Sequence, residues 1–306
     1  MATIKKKGID KKLLFYIMLI SLPLLQYAIF YIYVNINSFV LAFTSTDALT
    51  GVTTFAGFDN FIEVFRRFFA SEDSYQFGIM FKNSLTVYGA SLVLHLAFSL
   101  LFGFYLYKKG LGHGIFKFIL FLPNIIPGIA LLSIYKYAVE TAVIDVYNML
   151  GFEPIYTLLN GKDTVFGTVL FHNLFFGYGT QVMMYLGAMN KINPSISEAA
   201  QLDGASYLRE FWSIVLPCIY STVITLVVVG LTGIFASDMG LYSMFAMNAP
   251  AETRTLGYYL QRETLFYSTD KSHWPRIAAV GLCFTLVVAP LTIVVKRFLE
   301  KRDPMA

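Results

Sequence analysis

The sequence predicts an all-α membrane protein with six transmembrane helices. Of its 306 residues, 57% are hydrophobic and only 14% are charged, whereas an ordinary soluble domain has about 25% charged residues. The apolar residues form long continuous runs, and about 20 such residues suffice to cross a bilayer as a helix. A membrane β-barrel would instead show short alternating strands. The predicted spans are Leu13–Asn35, Ser84–Tyr107, Ile115–Ala138, Val165–Ala188, Ile214–Ala236 and Ile277–Lys296.

The first predicted span follows a basic segment, MATIKKKGIDKK. No charged residue occurs between Leu13 and Thr46, which makes this apolar run too long for the h-region of a signal peptide. A clear cleavage site with small residues is also lacking. We therefore expect a retained first span, preceded by a basic tail of residues 1–12.

Six spans would place both termini on one side of the membrane, and the charges indicate which side. The two tails, the turn 108–117 and the loop 190–213 hold most of the 23 Lys and Arg residues, although they are the shorter segments. The three longer loops hold most of the 19 acidic residues. Because short, positively charged loops face the cytoplasm, we expect cytoplasmic termini. The chain then divides into a tail (1–12), a first span with an external loop (13–83), a core of five spans (84–296) with a cytoplasmic loop (190–217), and a second tail (297–306).

The first external loop contains an amphipathic segment, FDNFIEVFRRFF. Its apolar side chains recur at helical spacing and its charged side chains fall on the opposite face. Such a helix either lies in the outer membrane interface or packs as a lid over its own bundle, and the residues leave both possibilities open. The apolar positions are Phe58, Phe61, Ile62, Phe65, Phe68 and Phe69, and the charged positions are Asp59, Glu63, Arg66 and Arg67.

A polar, helix-prone stretch, EAAQLDGASYLREFWSIVLP, interrupts the apolar sequence between spans four and five. The spacing of Ser195 and Glu198 is that of a capping box, which predicts a short helix over Ile196–Asp203. Gly204 then permits a sharp turn into a second helical piece, and Pro217 fixes the direction in which the fifth span begins. The residues alone favour equally a docking elbow for a partner protein and an interfacial helix that stabilises the bundle.

This stretch resembles the EAA loop of permease subunits in binding-protein-dependent ABC importers. In that loop Glu-Ala-Ala is followed after three residues by Gly, and after nine more by Ile-x-Leu-Pro, and this sequence keeps that spacing without departure. The variant EAAQLDGAS is similar to the carbohydrate-uptake branch, of the maltose-transporter type. GFDNF (57–61), NSL (83–85) and the segment ETRTLGYYL resemble further elements of such permeases, so that the resemblance covers nearly the whole chain. The docking positions that it implies are Glu198, Ala199, Ala200, Asp203, Gly204, Ile214, Leu216 and Pro217.

The resemblance implies the type I ABC importer permease fold and a chain that performs no bond chemistry. The elbow would be a coupling helix that docks on an ATPase, where Glu198 can pair with a basic residue and Gly204 allows the turn. The implied partners are a second homologous permease subunit, an ABC ATPase dimer, an extracytoplasmic sugar-binding protein and the lipid bilayer, with no nucleic acid. The expected cargo is a sugar or oligosaccharide, and the expected location is the cytoplasmic (inner) membrane of a bacterium or archaeon.

The sequence has no motif for nucleotide or metal chemistry of its own. The phosphate loop GxxxxGK[ST] is absent, since Gly161-Lys162 is followed by Asp163. Neither GxSxG nor HExxH occurs, and the four histidines are scattered without ligand spacing. We therefore expect no catalytic residue, metal site or cofactor in this chain, with ATP and Mg bound by the partner ATPase subunits.

The fourth predicted span, FHNLFFGYGTQVMMYLGAMN, combines polar groups with aromatic rings. A neutral sugar needs both, because its edges carry hydroxyls and its ring faces carry C–H groups. On a continuous helix, Asn173, Gly177, Thr180, Gln181 and Met184 fall on one stripe. Polar groups within a span usually face the bundle interior or a water-filled cavity, which favours a sugar-contacting wall. Packing of helices through small residues is the alternative interpretation.

The third predicted span contains two prolines. Pro123 and Pro127 each remove a backbone donor, which predicts a kink that exposes carbonyl groups near Asn124. A bent helix can help to build a gated cavity, although bends are also common in membrane bundles generally. The candidates for a substrate path are Asn124, Asn173, Phe176, Tyr178, Thr180 and Gln181.

Two other classes of protein remain as alternatives. A secondary transporter usually shows internal repeats and carboxylates within its spans, and the predicted spans contain no acidic residue. A membrane scaffold would use the elbow as an unrelated docking site. Within the importer family the alternative cargo is another small polar solute, such as an amino acid, against which the variant Asp203-Gly204-Ala205 argues.

Overall fold

The described part of the chain is helical almost throughout, as its composition predicts. The computed structural model describes residues 11–69, 74–151 and 158–304. The chain forms two units: one holds the residues up to Val64 together with Thr269–Leu282, and the other holds Phe65–Ser268 and the residues from Cys283 onward. Within the three described ranges the only sheet is one two-stranded hairpin.

The first unit begins with a long apolar helix. α1 (Lys11–Tyr27) continues through a π-helical segment (Ala28–Tyr33) into α2 (Val34–Leu41). The stretch Leu14–Leu41 is long and apolar enough to cross a membrane, which agrees with the predicted first span. Residues 14–40 are all exposed, as expected of a helix that meets lipid or another chain.

A short antiparallel hairpin follows α2. It consists of β1 (Thr44–Thr46) and β2 (Thr53–Phe55). Its register pairs Thr44 with Phe55, Ser45 with Thr54 and Thr46 with Thr53. The buried side chain of Asn60, in the GFDNF element, donates its amide to the carbonyl oxygens of Ala42 and Thr44 at 2.8 and 2.7 Å. This amide holds the chain where α2 passes into the hairpin.

The predicted amphipathic helix of this loop is confirmed as α3 (Asp59–Phe69). Its apolar side chains do not share one environment, because Phe68 is buried while Ile62, Phe65 and Phe69 are 55–64% exposed. The exposed phenylalanines suit the membrane interface. Their placement there stays a prediction.

The remaining helices follow in chain order from α4 (Ser74–Tyr107) to α16 (Trp274–Glu300). One π-helical segment (Ala138–Ala142) joins α6 (Gly128–Tyr137) to α7 (Val143–Met149). Another (Phe211–Val215) joins α11 (Tyr207–Glu210) to α12 (Leu216–Cys218). The helices between α4 and α16 are α5 (His113–Ile125), α6 (Gly128–Tyr137), α7 (Val143–Met149), α8 (Val165–Phe176), α9 (Gly179–Met189), α10 (Pro194–Leu202), α11 (Tyr207–Glu210), α12 (Leu216–Cys218), α13 (Tyr220–Thr232), α14 (Leu241–Phe245) and α15 (Leu256–Phe266).

Up to five elements of the described chain could cross a membrane. Besides Leu14–Leu41, the helices Gln76–Tyr107 and Trp274–Glu300 are long and apolar enough, and they contain the predicted second and sixth spans. Two bent pairs could each form a broken span: α5 with α6 and α7, bent by 101°, and α11 and α12 with α13, bent by 71°. The count of six spans and the cytoplasmic termini therefore stay predictions.

The bend in the third predicted span lies at Pro127. Pro123 lies inside α5, whereas Ile126 and Pro127 have extended backbones between α5 and α6. Proline disfavours a helical conformation of the residue before it, which accounts for Ile126. The predicted kink of the third span is thus confirmed, and it lies at Pro127, while α5 continues through Pro123.

The fourth predicted span is two helices rather than one. α8 ends at Phe176 and α9 begins at Gly179. A Cβ atom on Gly177 would lie 2.7 Å from Cε1 of His95, and one on Gly179 would lie 2.7 Å from the carbonyl oxygen of Leu120. Glycine therefore lets the chain pass close to α4 and α5 while it leaves the helical path. The expectation of a continuous helix is wrong at this point.

Candidate functional site

The elbow, which we define as residues 193–211, consists of α10 and α11 joined at Gly204. Gly204 has a φ of +73°, a left-handed conformation that favours glycine, so the predicted turn is confirmed. Asn193 caps α10, since its side chain accepts the backbone N–H of Ser195 at 3.1 Å. Pro194 occupies the first helical position, where proline costs no hydrogen bond. The predicted cap at Ser195 is wrong, because the helix already begins at Pro194.

The predicted docking residues divide into an exposed and a covered group. Leu216 packs against the core cluster that contains Tyr185 and Phe211, so this end of the motif anchors the elbow to the bundle. The docking role of the whole set stays a prediction. Glu198, Ala199, Asp203 and Gly204 are exposed, Ala200 is buried, and Ile214, Leu216 and Pro217 are half-buried.

Large apolar side chains on the elbow point outward. Leu202 is 89% exposed, and Tyr207 and Leu208 are each 69% exposed. Exposed apolar surface in an otherwise polar segment is typical of a protein–protein contact. The sequence prediction did not include these three residues among the docking positions, although apolar side chains within the polar loop were the available signal.

A buried ion pair holds the elbow to the end of α4. Lys108 follows the last residue of α4, and its Nζ donates to both carboxylate oxygens of Glu210 at 2.9 Å. Ser197 on α10 donates its hydroxyl to Oε1 of Glu210 at 2.5 Å. The side chains of Lys108 and Glu210 are 14% and 1% exposed. The contact joins three elements, and the sequence analysis did not predict it.

A cavity of about 220 Å³ lies between α4, α9, α13 and the segment after α13. Gly230 and Gly233 form part of its wall and leave room beside α13. Its polar side chains are hydroxyls, one amide and one imidazole, and two of the residues are tyrosines. The polar lining residues are Ser84, Tyr88, Ser91, His95, Gln181, Tyr185 and Ser237.

Hydrogen bonds to neighbouring segments hold several of these groups. Ser91 donates its hydroxyl to Oδ1 of Asn173 at 3.2 Å. Nε2 of His95 lies 3.1 Å from the carbonyl oxygen of Leu174. The wall from α4 is thus fixed against α8, where the sequence analysis expected a polar surface.

The predicted substrate-path residues are not brought together on one surface. Gln181 lines the cavity, and Asn173 bonds to a residue that does. Thr180 instead donates to Oδ1 of Asn124 at 2.9 Å, which links α9 to α5. Phe176 packs against a core cluster. The ring of Tyr178 lies 5.9 Å from that of Phe98. Within the predicted stripe, Gln181 lines the cavity and Asn173 and Gly177 contact residues that line it, whereas Thr180 faces α5.

The cavity residues that the sequence analysis missed are mainly on α4 and α13. Ser84 belongs to the NSL element, and Ser91 and His95 follow it at helical spacing along the same helix. Polar residues at this spacing within an apolar span were the available signal. Ser237 lies beyond α13 and gave no such pattern.

Comparison with known proteins gives a family match over most of the chain. Residues 95–304 match the family described as "Binding-protein-dependent transport system inner membrane component". The chain is 24% identical over 275 residues to the arabinooligosaccharides transport system permease protein AraP of Bacillus subtilis (strain 168), which covers 88% of this chain and 84% of AraP. It is 26% identical over 240 residues to the polygalacturonan/rhamnogalacturonan transport system permease protein YteP of the same organism. That match covers 74% of this chain and 72% of YteP.

The fold is also similar to that of a solved transporter. A crystal structure of a bacterial alginate ABC transporter, in complex with an alginate pentasaccharide-bound periplasmic protein, contains a chain that matches with a TM-score of 0.71. The two chains are 23% identical, and the match covers 96% of this chain and 95% of that one. At this identity the likeness concerns the fold alone. The family match includes the whole elbow and Lys108.

Proposed function

Because this chain belongs to the family of binding-protein-dependent transport system inner membrane components, we propose that it is a permease subunit of an ATP-driven importer for a sugar or oligosaccharide. The observation that carries the proposal is the elbow, which lies within the matched residues and presents exposed side chains on both sides of a glycine turn. The names of AraP and YteP, which are permease proteins of oligosaccharide and polysaccharide transport systems, support the sugar cargo.

The elbow would serve as the docking joint for an ABC ATPase. Leu202, Tyr207 and Leu208 offer apolar surface, and the neighbouring carboxylates of Glu198 and Asp203 are exposed. An apolar centre with a charged rim is the usual composition of such an interface. The ATPase dimer would bind ATP and Mg and hydrolyse the nucleotide, while this chain binds none.

The cavity would form part of the sugar path. Its hydroxyl, amide and imidazole groups can replace the water that solvates sugar hydroxyls. The half-buried ring of Tyr88 offers a surface on which the C–H faces of a sugar can pack. Gln181 is the predicted path residue that this cavity supports most directly.

The remaining parts of the importer would come from other chains. A second, homologous permease subunit would complete the pathway, and an extracytoplasmic binding protein would deliver the sugar. The likeness to the alginate transporter solved with its periplasmic protein supports such a partner. The chain would cross the inner membrane of a bacterium or archaeon six times, with α8 and α9 as a broken fourth span and both termini in the cytoplasm.

Transport would follow alternating access. Binding of ATP and of the loaded binding protein would favour a cavity open to the outside, and hydrolysis would reset it. The coupling requires that movement of the docked ATPase reach the helices around the cavity. The elbow is the part of this chain suited to receive that movement.

Purification of the tagged full chain from its native membrane in mild detergent tests the proposal. Mass spectrometry should identify an ABC ATPase and a second permease in the same complex, and uptake of labelled arabinooligosaccharides or galacturonan fragments should depend on ATP. A complex that lacks an ATPase would overturn the proposal. Uptake driven by an ion gradient in proteoliposomes without ATP would favour a secondary transporter instead.

A further inference from the structure

Lys108 and Glu210 form a buried ion pair between the end of α4 and the elbow. Both carboxylate oxygens of Glu210 accept from Lys108, and Ser197 donates to one of them while lying 3.2 Å from Nζ. The ammonium also lies 5.5 Å from the centre of the Tyr207 ring, close enough for a cation–π contact. The pair therefore engages both helices of the elbow at once.

The position of Lys108 at the end of α4 also connects the pair to the cavity. Lys108 directly follows the C-terminal residue of α4, where a positive charge interacts favourably with the helix dipole. The same helix carries Ser84, Ser91 and His95 in the wall of the cavity. At about 1.5 Å of rise per residue, His95 lies roughly 20 Å along the helix from Lys108.

A buried ion pair is a poor way to gain stability. The desolvation of two charges offsets most of their attraction, and apolar side chains of similar volume often stabilise a protein as well or better. What the pair does provide is a directional contact that resists separation, because each charge is costly to leave alone in a buried site. Such a contact keeps two elements together when one of them is displaced.

We propose that Lys108 is a positioning residue that passes displacement of the elbow into α4, and so to the wall of the cavity. This inference rests on the proposed importer function. When the docked ATPase moves α10 and α11, Glu210 moves with them, and Lys108 follows because separation would leave both charges buried and unpaired. α4 is then displaced along with the elbow, rather than staying in place while the elbow slides past it.

A cysteine reporter in the cavity tests this transfer. In a protein without its two cysteines (Cys218→Ser and Cys283→Ser), Ser91→Cys places a thiol in the cavity wall. The complex with its ATPase is reconstituted in lipid nanodiscs, and a water-soluble maleimide labels the thiol with and without ATP and vanadate. The ratio of the two labelling rates measures how far the nucleotide state reaches the cavity.

The comparison is between the native pair and the double variant Lys108→Met/Glu210→Met. The double variant removes both charges but keeps comparable volume, so it avoids a single buried charge. We expect the double variant to assemble with the ATPase. Its labelling ratio should differ from one by at least about fivefold less than the native ratio does, because about fivefold is the low end of measured couplings between sites. Lys117→Met, an exposed lysine on α5, is the matched control and should keep the native ratio.

The outcomes distinguish the inference from the proposed function. An unchanged ratio in an assembled double variant would overturn the inference and leave the importer intact. If the reporter protein that keeps the native pair shows no nucleotide-dependent labelling, the importer proposal fails and the inference with it. Should the double variant not assemble, Glu210→Gln keeps the shape and weakens the pair. A ratio closer to one in that variant supports the inference, and a native ratio contradicts it.

Discussion

The elbow and the cavity both contact α4, but they do so through opposite kinds of polar group. At one end of α4 an ammonium and a carboxylate are buried together. Along the cavity the lining side chains carry hydroxyls, an amide and an imidazole, and no carboxylate, lysine or arginine. A buried charge pair resists separation, whereas neutral hydrogen bonds can be exchanged with a ligand at small net cost. The chain thus places charge where two elements must move together and neutral polarity where a sugar would pass.

The largest expected effect comes from leaving one charge of the pair without its partner. Glu210→Leu leaves the Lys108 ammonium buried without its carboxylate, which should cost about 3–5 kcal/mol of stability. We expect a large loss of folded protein in the membrane and a lower melting temperature in detergent. Adding Lys108→Met to the same chain should recover most of the loss. If Glu210→Leu alone melted like the native protein, the pair would not be buried as described.

Steric crowding between α9 and α5 should have the next largest effect. A Cβ on Gly179 would lie 2.6 Å from Nδ2 of Asn124 and 2.7 Å from a backbone oxygen, so Gly179→Ala should destabilise the protein by about 1–3 kcal/mol. Thermal unfolding in detergent measures this. Gly187 on the same helix has open space around its Cβ position, and Gly187→Ala should be neutral or stabilising by up to about 1 kcal/mol. Equal effects at both positions would show that Gly179 is not packed tightly against α5.

A change at the elbow turn should affect stability less than it affects coupling. Gly204 has open space around it but a left-handed backbone, so Gly204→Leu should cost about 1–2 kcal/mol in strain. We expect the protein to stay in the membrane while ATP-dependent sugar uptake and co-purification of the ATPase fall. Lys191→Gln changes an exposed residue that lies before the elbow, without backbone strain, and serves as the control. Full uptake and full ATPase binding by Gly204→Leu would remove the turn from the coupling mechanism.

The smallest expected effect is at the cavity wall. Loss of one neutral hydrogen bond to the sugar is worth about 1 kcal/mol, so Gln181→Leu should raise the KM of uptake about fivefold, with little change in stability. Initial uptake rates over a range of labelled oligosaccharide concentrations would show it. Thr225→Val, on an exposed face of α13 outside the cavity, should leave KM unchanged. A KM that responded equally to both variants would exclude a specific contact at Gln181.

Local features of the elbow could be predicted from the sequence, whereas the ion pair and the cavity depend on contacts between distant residues. The elbow is contiguous, so its glycine turn and helices follow from local preferences, and only the cap was misplaced because Pro194 already fits the first helical position. The partners Lys108 and Glu210 are 102 residues apart, and no local pattern connects them. The cavity requires the packing of α4, α9 and α13, which the apolar periodicity of each helix does not determine. The break at Gly177 was missed for the same reason, since close approach to His95 depends on tertiary contacts.

The hydrogen bonds of Asn83 and Ser84 on α4 have a consequence for the order in which the protein is made. Asn83 donates its amide to the carbonyl oxygens of Glu252 and Arg254, and Ser84 accepts the backbone N–H of Leu256. These partners are 169 to 172 residues further along the chain. The ribosome has therefore synthesised most of the protein before Asn83 and Ser84 can meet these partners. Until then the polar side chains of Asn83 and Ser84 lack these hydrogen-bond partners, and a chain truncated before residue 252 never provides them.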